Sequence, residues 1–298
     1  MQPWALASPP ALPPTRPMAI LSIQSQVLNG AVGNSGAAFI LARHGHEVWP
    51  LPTVLLSHHP GHGGAEGGPV KPARLAALLA GLASRGAFAR CEAVLSGYLG
   101  AEAAVPVVRE AVERARAANP AAIYVCDPVI GDDGRAYVPP PLIAAIRETL
   151  LPLADIALPN AFELGVLAGT NPTDRSSAFT AMEALGTRLV VLTGFAGTDT
   201  APGTLDILAI DEAGRRRIAV PRLAGRFSGA GDAFAALFVA HYLPSRRLDA
   251  ALSAAAAATT ELLRITAALG ADELAIVAAQ DAWIAAGRTA RDDENPSR

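Results

Sequence analysis

The chain is predicted to be an α/β protein, a three-layer α/β/α sandwich built around a mainly parallel central sheet. From residue 18 onward, short apolar runs of strand length alternate with longer amphipathic runs, the pattern of successive βαβ units. Glycines, prolines and carboxylates collect where the apolar runs stop, as they do at the loops beyond strand ends. A length of 298 residues with 51% hydrophobic composition is enough to bury one large core and excludes wholesale disorder.

Taken in order, residues 18–23 form a buried strand and 36–43 a helix. Residues 48–56 read as extended, and Pro50 and Pro52, which lack a ladder donor, suit an edge strand or a hairpin. A helix over 74–82, a strand over 93–95, a helix over 105–117 and a central strand over 123–126 come next. Beyond a long loop come a helix over 141–150, a strand over 156–158 and helices over 161–167 and 178–185. A strand over 189–192 leads to a hairpin, 205–210 against 217–220, with Asp211-Glu212-Ala213-Gly214 as its turn. Helices over 233–243 and 248–269 close the chain. Residues 1–17 are punctuated by proline and read as a disordered extension, 18–287 as a single domain, and 288–298 as a polar tail.

A net charge of -3 argues against a general nucleic-acid binder, which needs clustered basic residues. Cys91 and Cys126 fall at or inside apolar strand-like runs, as buried thiols of a reducing cytoplasm do. The alanine-rich stretch 250–269 comes nearest to membrane-spanning length, but Ser253, Glu261 and Arg264 interrupt it.

Chemistry concentrates at the strand ends. In Phe227-Ser228-Gly229-Ala230-Gly231-Asp232, a glycine-rich turn opens an apolar helix. The first amides of a helix lack internal partners and sit at its positive end, which suits a phosphate. Asp232 then stands ready to take a proton from a hydroxyl, although a lone motif of this kind also reads as a simple helix cap. Gly30, Gly33 and Gly36 come after the first strand with the wrong spacing for a dinucleotide fingerprint, and the acid expected to end the second strand is missing. A loop against a small ligand fits better, with the Ser25 hydroxyl at the strand tip or merely capping the turn. Ser57-His58-His59-Pro60-Gly61-His62-Gly63-Gly64 reads as a lid rather than a metal site, because no further ligands complete a set. Asp127 ends the central strand and can hold Mg²⁺ or its waters, whereas Asp133 reads as part of a solvated turn. Glu163 falls in the first turn of a helix and, taken alone, is first a capping glutamate. Thr193 ends another strand, within reach of a nucleotide.

Together these pieces resemble the pyridoxal kinases, a branch of the ribokinase-like superfamily. Ser22-Ile23-Gln24-Ser25, Gly33-Asn34, Ser96-Gly97-Tyr98, Cys126-Asp127-Pro128-Val129, Ala154-Asp155-Ile156, Pro159-Asn160 with Glu163, and Gly229-Ala230-Gly231-Asp232 occur in that family's order, over about residues 18–285. The resemblance implies that Asp232 is the catalytic base acting on the 5′-hydroxymethyl group of pyridoxal, and that Gly229, Ala230 and Gly231 form the anion hole. It places Ser25 against the pyridine ring, with Val32 and Tyr98 lining the pocket and Pro60 and Gly61 in the lid. Asp127 and Glu163 match acids near Mg·ATP, and Leu158, Thr193, Pro221, Arg222, Leu223 and Ala224 match nucleotide-contacting positions.

The activity implied by the resemblance is ATP-dependent formation of pyridoxal 5′-phosphate by a cytoplasmic homodimer using Mg²⁺, with a monovalent cation left open. The sequence departs from the family in the lid, where Pro60 has no hydroxyl, and in a short segment between Pro221 and Gly229. A kinase for hydroxymethylpyrimidine, or for both substrates, is the nearest rival. A non-catalytic carrier or sensor of pyridoxal phosphate is the rival of another class. Lys71 is the only lysine, which disfavours Schiff-base chemistry.

Overall fold

Alternation within β1 (Ala19–Asn29) organises the molecule: Leu21 and Ile23 point to one side of the sheet and Ile20 to the other, and all three are buried. A strand apolar on both faces must be covered on both, which is the condition of a parallel sheet. The computed structural model describes residues 19–294 and meets that condition. The extension over 1–17 and the last residues of the polar tail lie outside the described residues.

Nine strands form one sheet in the order β11-β10-β9-β8-β5-β4-β1-β2-β3. Besides β1 these are β2 (Glu47–His58), β3 (Gly67–Pro69), β4 (Cys91–Ser96), β5 (Ile123–Cys126), β8 (Ile156–Ala157), β9 (Leu189–Phe195), β10 (Thr204–Asp211) and β11 (Gly214–Pro221). The run from β9 to β2 is parallel, while β10, β11 and β3 pair antiparallel at the two margins. A separate two-stranded hairpin, β6 (Gly131–Asp132) with β7 (Arg135–Ala136), projects from the loop after β5.

One face is covered by α2 (Pro72–Ser84), α3 (Val105–Ala118), α4 (Pro140–Ala145), α5 (Ala161–Ala168) and α6 (Arg175–Ala184). The other is covered by α1 (Asn34–Arg43), α7 (Ala230–Tyr242), α8 (Leu248–Ala268) and α9 (Gln280–Asp293). Strand order reverses between β1 and β4, which places the topological switch point beside Ser25 and Tyr98.

The prolines of β2 illustrate the local logic. Pro50 and Pro52 pair with Ser22 and Gln24 on the β1 side, while β3 reaches only Val54 to Leu56 on the other. The prolines therefore sit where β2 is still an edge, and the hairpin begins past them. The hairpin of β10 and β11 turns at Asp211 and Gly214, as its turn residues predict.

Two expectations change. The helix over 141–150 is α4 followed by a wider π-type turn, Ile146–Leu150. Three helices rather than two close the chain, because α9 packs on α8 and takes in the start of the supposed tail. Trp283 is wholly buried and its Nε1–H donates to the Ile276 carbonyl at 2.9 Å, anchoring α9. No helix among the described residues is long and apolar enough to cross a membrane.

Candidate active site

The first turn of α7 begins at Gly229, whose φ of 86° belongs to the left-handed region. A Cβ there would lie 3.0 Å from the Ala31 carbonyl oxygen, so this glycine admits the close approach of the loop after β1. Gly231 differs: a Cβ at that position would meet nothing within 4 Å. Packing gives no reason for glycine at Gly231, since a side chain there would stand in open space. The Gly231 and Asp232 amides have no partner among the described residues, whereas the Ala230 amide donates to the Phe227 carbonyl at 3.0 Å. Of the three predicted anion-hole amides, that of Ala230 is thus already engaged.

Asp232 is half-buried, and its Oδ2 accepts the Gly33 amide at 2.7 Å. Burial pushes its carboxyl up to about 6, and the Gly33 amide opposes the rise by favouring the charged form. Gly33 also packs on Ser25, since a Cβ at Gly33 would come within 2.2 Å of the Ser25 carbonyl oxygen and 2.6 Å of its hydroxyl. One residue therefore spaces the predicted ring-binding hydroxyl from the predicted base. Ser25 sits in an irregularity of β1 between Gln24 and Gln26, and its hydroxyl has no partner among the described residues.

Val32 is buried beside Gly229. Half-buried Tyr98 is held through its carbonyl, which accepts from the Thr53 hydroxyl at 2.6 Å. In the lid, Pro60 and Gly61 lie in a short turn, Pro60–His62, capped by the His59 side chain. His62 contacts the Glu273 carboxylate at 2.8 Å, and the other oxygen of Glu273 accepts the Ala31 amide at 3.1 Å. Glu273 thus ties the lid to the loop after β1. No group of three or more His, Cys, Asp or Glu among the described residues is arranged to hold a metal ion.

On the other flank, Asn160 and Glu163 form a full capping box at the start of α5. Glu163 does more than cap. Its Oε1 accepts the Ile130 amide at 2.7 Å and its Oε2 the Asn160 amide at 2.9 Å, fixing the loop after Asp127. That loop holds Val129 at a φ of 42°, a costly conformation for a β-branched residue. Both acids are buried. Burial pushes Glu163 up to about 7, its three amide donors working against the rise. Asp127 is raised well above the usual carboxylate range by burial first, then by the charges of Glu163 and Asp232. Asp127 thus lies in the field of both other acids, and a cation beside it would relieve the repulsion.

Nucleotide-side positions are placed unevenly. Thr193 bridges to Asn160, and its amide donates to the Pro159 carbonyl at 3.0 Å. Leu158 is buried among core residues, and its amide donates to the Cys126 carbonyl at 2.9 Å. Pro221 ends β11 and Arg222, half-buried Leu223 and Ala224 follow it, with the Arg222 amide on the Gly203 carbonyl. Next along the chain, Arg226 reaches Asp133 in the hairpin of β6 and β7 at 3.3 Å, an exposed contact. Sequence reasoning missed the roles of Gly33, Glu273 and Arg226. Only Gly33 carried a signal, as a glycine immediately before a helix.

A three-layer sheet whose switch point faces a glycine-capped helix start with a carboxylate in its first turn defines a phosphotransferase of the ribokinase-like fold. Residues 74–276 match the phosphomethylpyrimidine kinase family. A pyridoxal kinase of Leifsonia xyli is 39% identical over 268 residues, 89% of this chain and 95% of that protein. One of Deinococcus radiodurans is 41% identical over 277 residues, 90% of this chain and 93% of that protein. Among solved structures, the pyridoxal kinase of Leishmania donovani in complex with ADP and ginkgotoxin superposes with a TM-score of 0.84 at 34% identity, covering 89% of this chain and 95% of that one. The chain belongs to the pyridoxal kinase family.

Proposed function

We propose that the protein phosphorylates the 5′-hydroxymethyl group of pyridoxal with ATP. The observation that carries this reading is the contact chain from Ser25 through Gly33 to Asp232, which sets a ring-side hydroxyl and a proton acceptor on one small residue. The solved relatives hold ADP together with pyridoxamine or pyridoxine, which supports the same substrate class.

Asp232 accepts the alcohol proton on the carboxylate oxygen that Gly33 leaves free. As that O–H bond breaks, the alcohol oxygen bonds to the γ-phosphorus and the bond to the ADP oxygen breaks. The open Gly231 amide, with that of Asp232, receives the charge of the transferring group, and loss of one such donor costs on the order of 3 kcal/mol. Asp127 would hold the divalent cation, taken here as Mg²⁺, with Glu163 bracing the loop behind it. When bound, the cation neutralises phosphate charge, and one or two carboxylates suffice for its protein ligands. A homodimer, a cytoplasmic location and a monovalent cation are further expectations of the family resemblance.

ATP consumption with pyridoxal, pyridoxine, pyridoxamine and hydroxymethylpyrimidine tests the proposal. Pyridoxal is expected to give the highest kcat/KM. The family match makes a hydroxymethylpyrimidine kinase the competing reading, and faster turnover of that substrate would establish it.

A further inference from the structure

At the opposite end of α1 and α7 from Asp232 lies a second cavity of about 460 Å³. His241 lines it, nine residues on from Asp232, about 14 Å along the helix. Arginines reach it from three elements: Arg43 from α1, Arg247 from the start of α8, and Arg288 and Arg291 from α9. The pairing of these charges is incomplete. Arg43 has only the almost fully exposed Asp281 at 3.7 Å, Arg247 donates to the Glu294 carbonyl, and Arg291 leans on its neighbour Asp292. Arg288 has no hydrogen-bond or ion-pair partner among the described residues. Against four guanidinium groups stand the carboxylates of Asp292 in the lining and Asp281 beside Arg43, and the carbonyl ends of α1, α7 and α9, each equivalent to roughly half a charge. The positive amino end of α8 offsets one of those ends, so the cavity keeps a net positive balance.

The floor is unusual as well. His44 and His241 meet edge to face at 4.8 Å, and the Nε2 atom of each is buried without a hydrogen-bond partner. His241 is only 5% exposed, and burial pushes its imidazole down to about 3, so it stays neutral. The His241 Nε2 faces Gly287 of α9 rather than the cavity, so the two rings close the floor with their carbon edges. A bare cluster of arginines needs counter-charge, and phosphate oxygens satisfy guanidinium forks.

We propose that this cavity is a binding site for a phosphate dianion, distinct from the transfer site, with Arg43, Arg247, Arg288 and Arg291 as its cationic wall and His44 and His241 as its floor. The volume leaves room for the organic part of a small phosphate monoester beside the phosphate group.

Thermal denaturation of the full chain in rising inorganic phosphate, at ionic strength held constant with chloride, tests this. A saturable rise of the midpoint is expected in the wild type. It is also expected in Gly231→Val, which fills the anion cradle at α7. In Arg288→Ser/Arg291→Ser, two exposed positions, apparent affinity is expected to fall at least tenfold. Arg43→Ser, on a different helix, is expected to weaken it as well. An unchanged response in both arginine variants, or an equal rise with chloride alone, would overturn the proposal. A parallel titration with glycerol 3-phosphate separates the sources: tighter binding than inorganic phosphate assigns the site to a monoester, weaker binding to free phosphate.

Discussion

Asp232→Asn separates the two consequences of placing a carboxylate where this fold places it. Asparagine keeps the shape and can still accept the Gly33 amide, but it cannot take up a proton. Turnover is expected to fall by about 10²- to 10⁴-fold, the usual contribution of a positioned proton acceptor. Stability is expected to move the other way. Because burial raises the folded-state carboxyl from 3.8 to about 6, the folded protein binds this proton more tightly than the unfolded chain. The stabilising contribution is complete below the unfolded value and is lost as pH rises through the folded one. Two units at about 1.4 kcal/mol each put the cost of the ionised group at about 3 kcal/mol at pH 8, an upper figure because Asp232 is only half-buried. The variant escapes that cost. Its melting midpoint is expected to exceed that of the wild type by roughly 6–12 °C at most at pH 8, and by about half as much at pH 5. In the wild type, kcat/KM is expected to fall tenfold per unit below about 6. Calorimetry at the two pH values, paired with ATP-consumption rates, checks both arms. A variant less stable than the wild type at pH 8, or equally stabilised at both pH values, refutes the electrostatic argument. Retained turnover refutes the assignment of the base.

Gly33→Ala is expected to cost about 2–5 kcal/mol, combining a left-handed φ of 56° with a Cβ placed 2.2 Å from the Ser25 carbonyl, and to depress kcat by displacing the amide that holds Asp232. Urea denaturation and single-turnover rates measure the two effects, and a stable, fully active variant contradicts the geometry. Glu273→Ala removes the tie between His62 and the Ala31 amide, each bond worth roughly 1 kcal/mol. It is expected to raise KM for pyridoxal about fivefold or more with little change in stability, and an unchanged KM would show that the lid closes without it.

Elements carrying their own signal were legible. The central strands are continuous apolar runs because both of their faces are covered, and α7 announces itself by glycines meeting an apolar helix. Helix α9 was missed because its outward face is rich in Arg and Asp, and only Trp283, Ile284 and Gly287 face inward. β3, Gly-Gly-Pro, has no strand-forming residue at all and exists only because β2 offers it an edge. For the site, the residue types at the strand ends could be read, but their bonding could not. The Gly33 amide meets Asp232 across 199 positions and the Ala31 amide meets Glu273 across 242, separations over which no local pattern speaks. Glu163 shows both readings to be compatible: it caps α5 with one carboxylate oxygen and braces the Asp127 loop with the other.

The placement of Gly33 bears on how such an enzyme can diverge. The floor of the pocket is over-determined, since one residue packs on the Ser25 hydroxyl and holds Asp232, so a change there alters recognition and chemistry together. The lid between β2 and β3 is bound to the rest of the site mainly through Glu273. Selection for a different vitamer therefore has one inexpensive place to act, and it is the stretch where this chain departs from the family pattern, His58-His59-Pro60-Gly61-His62.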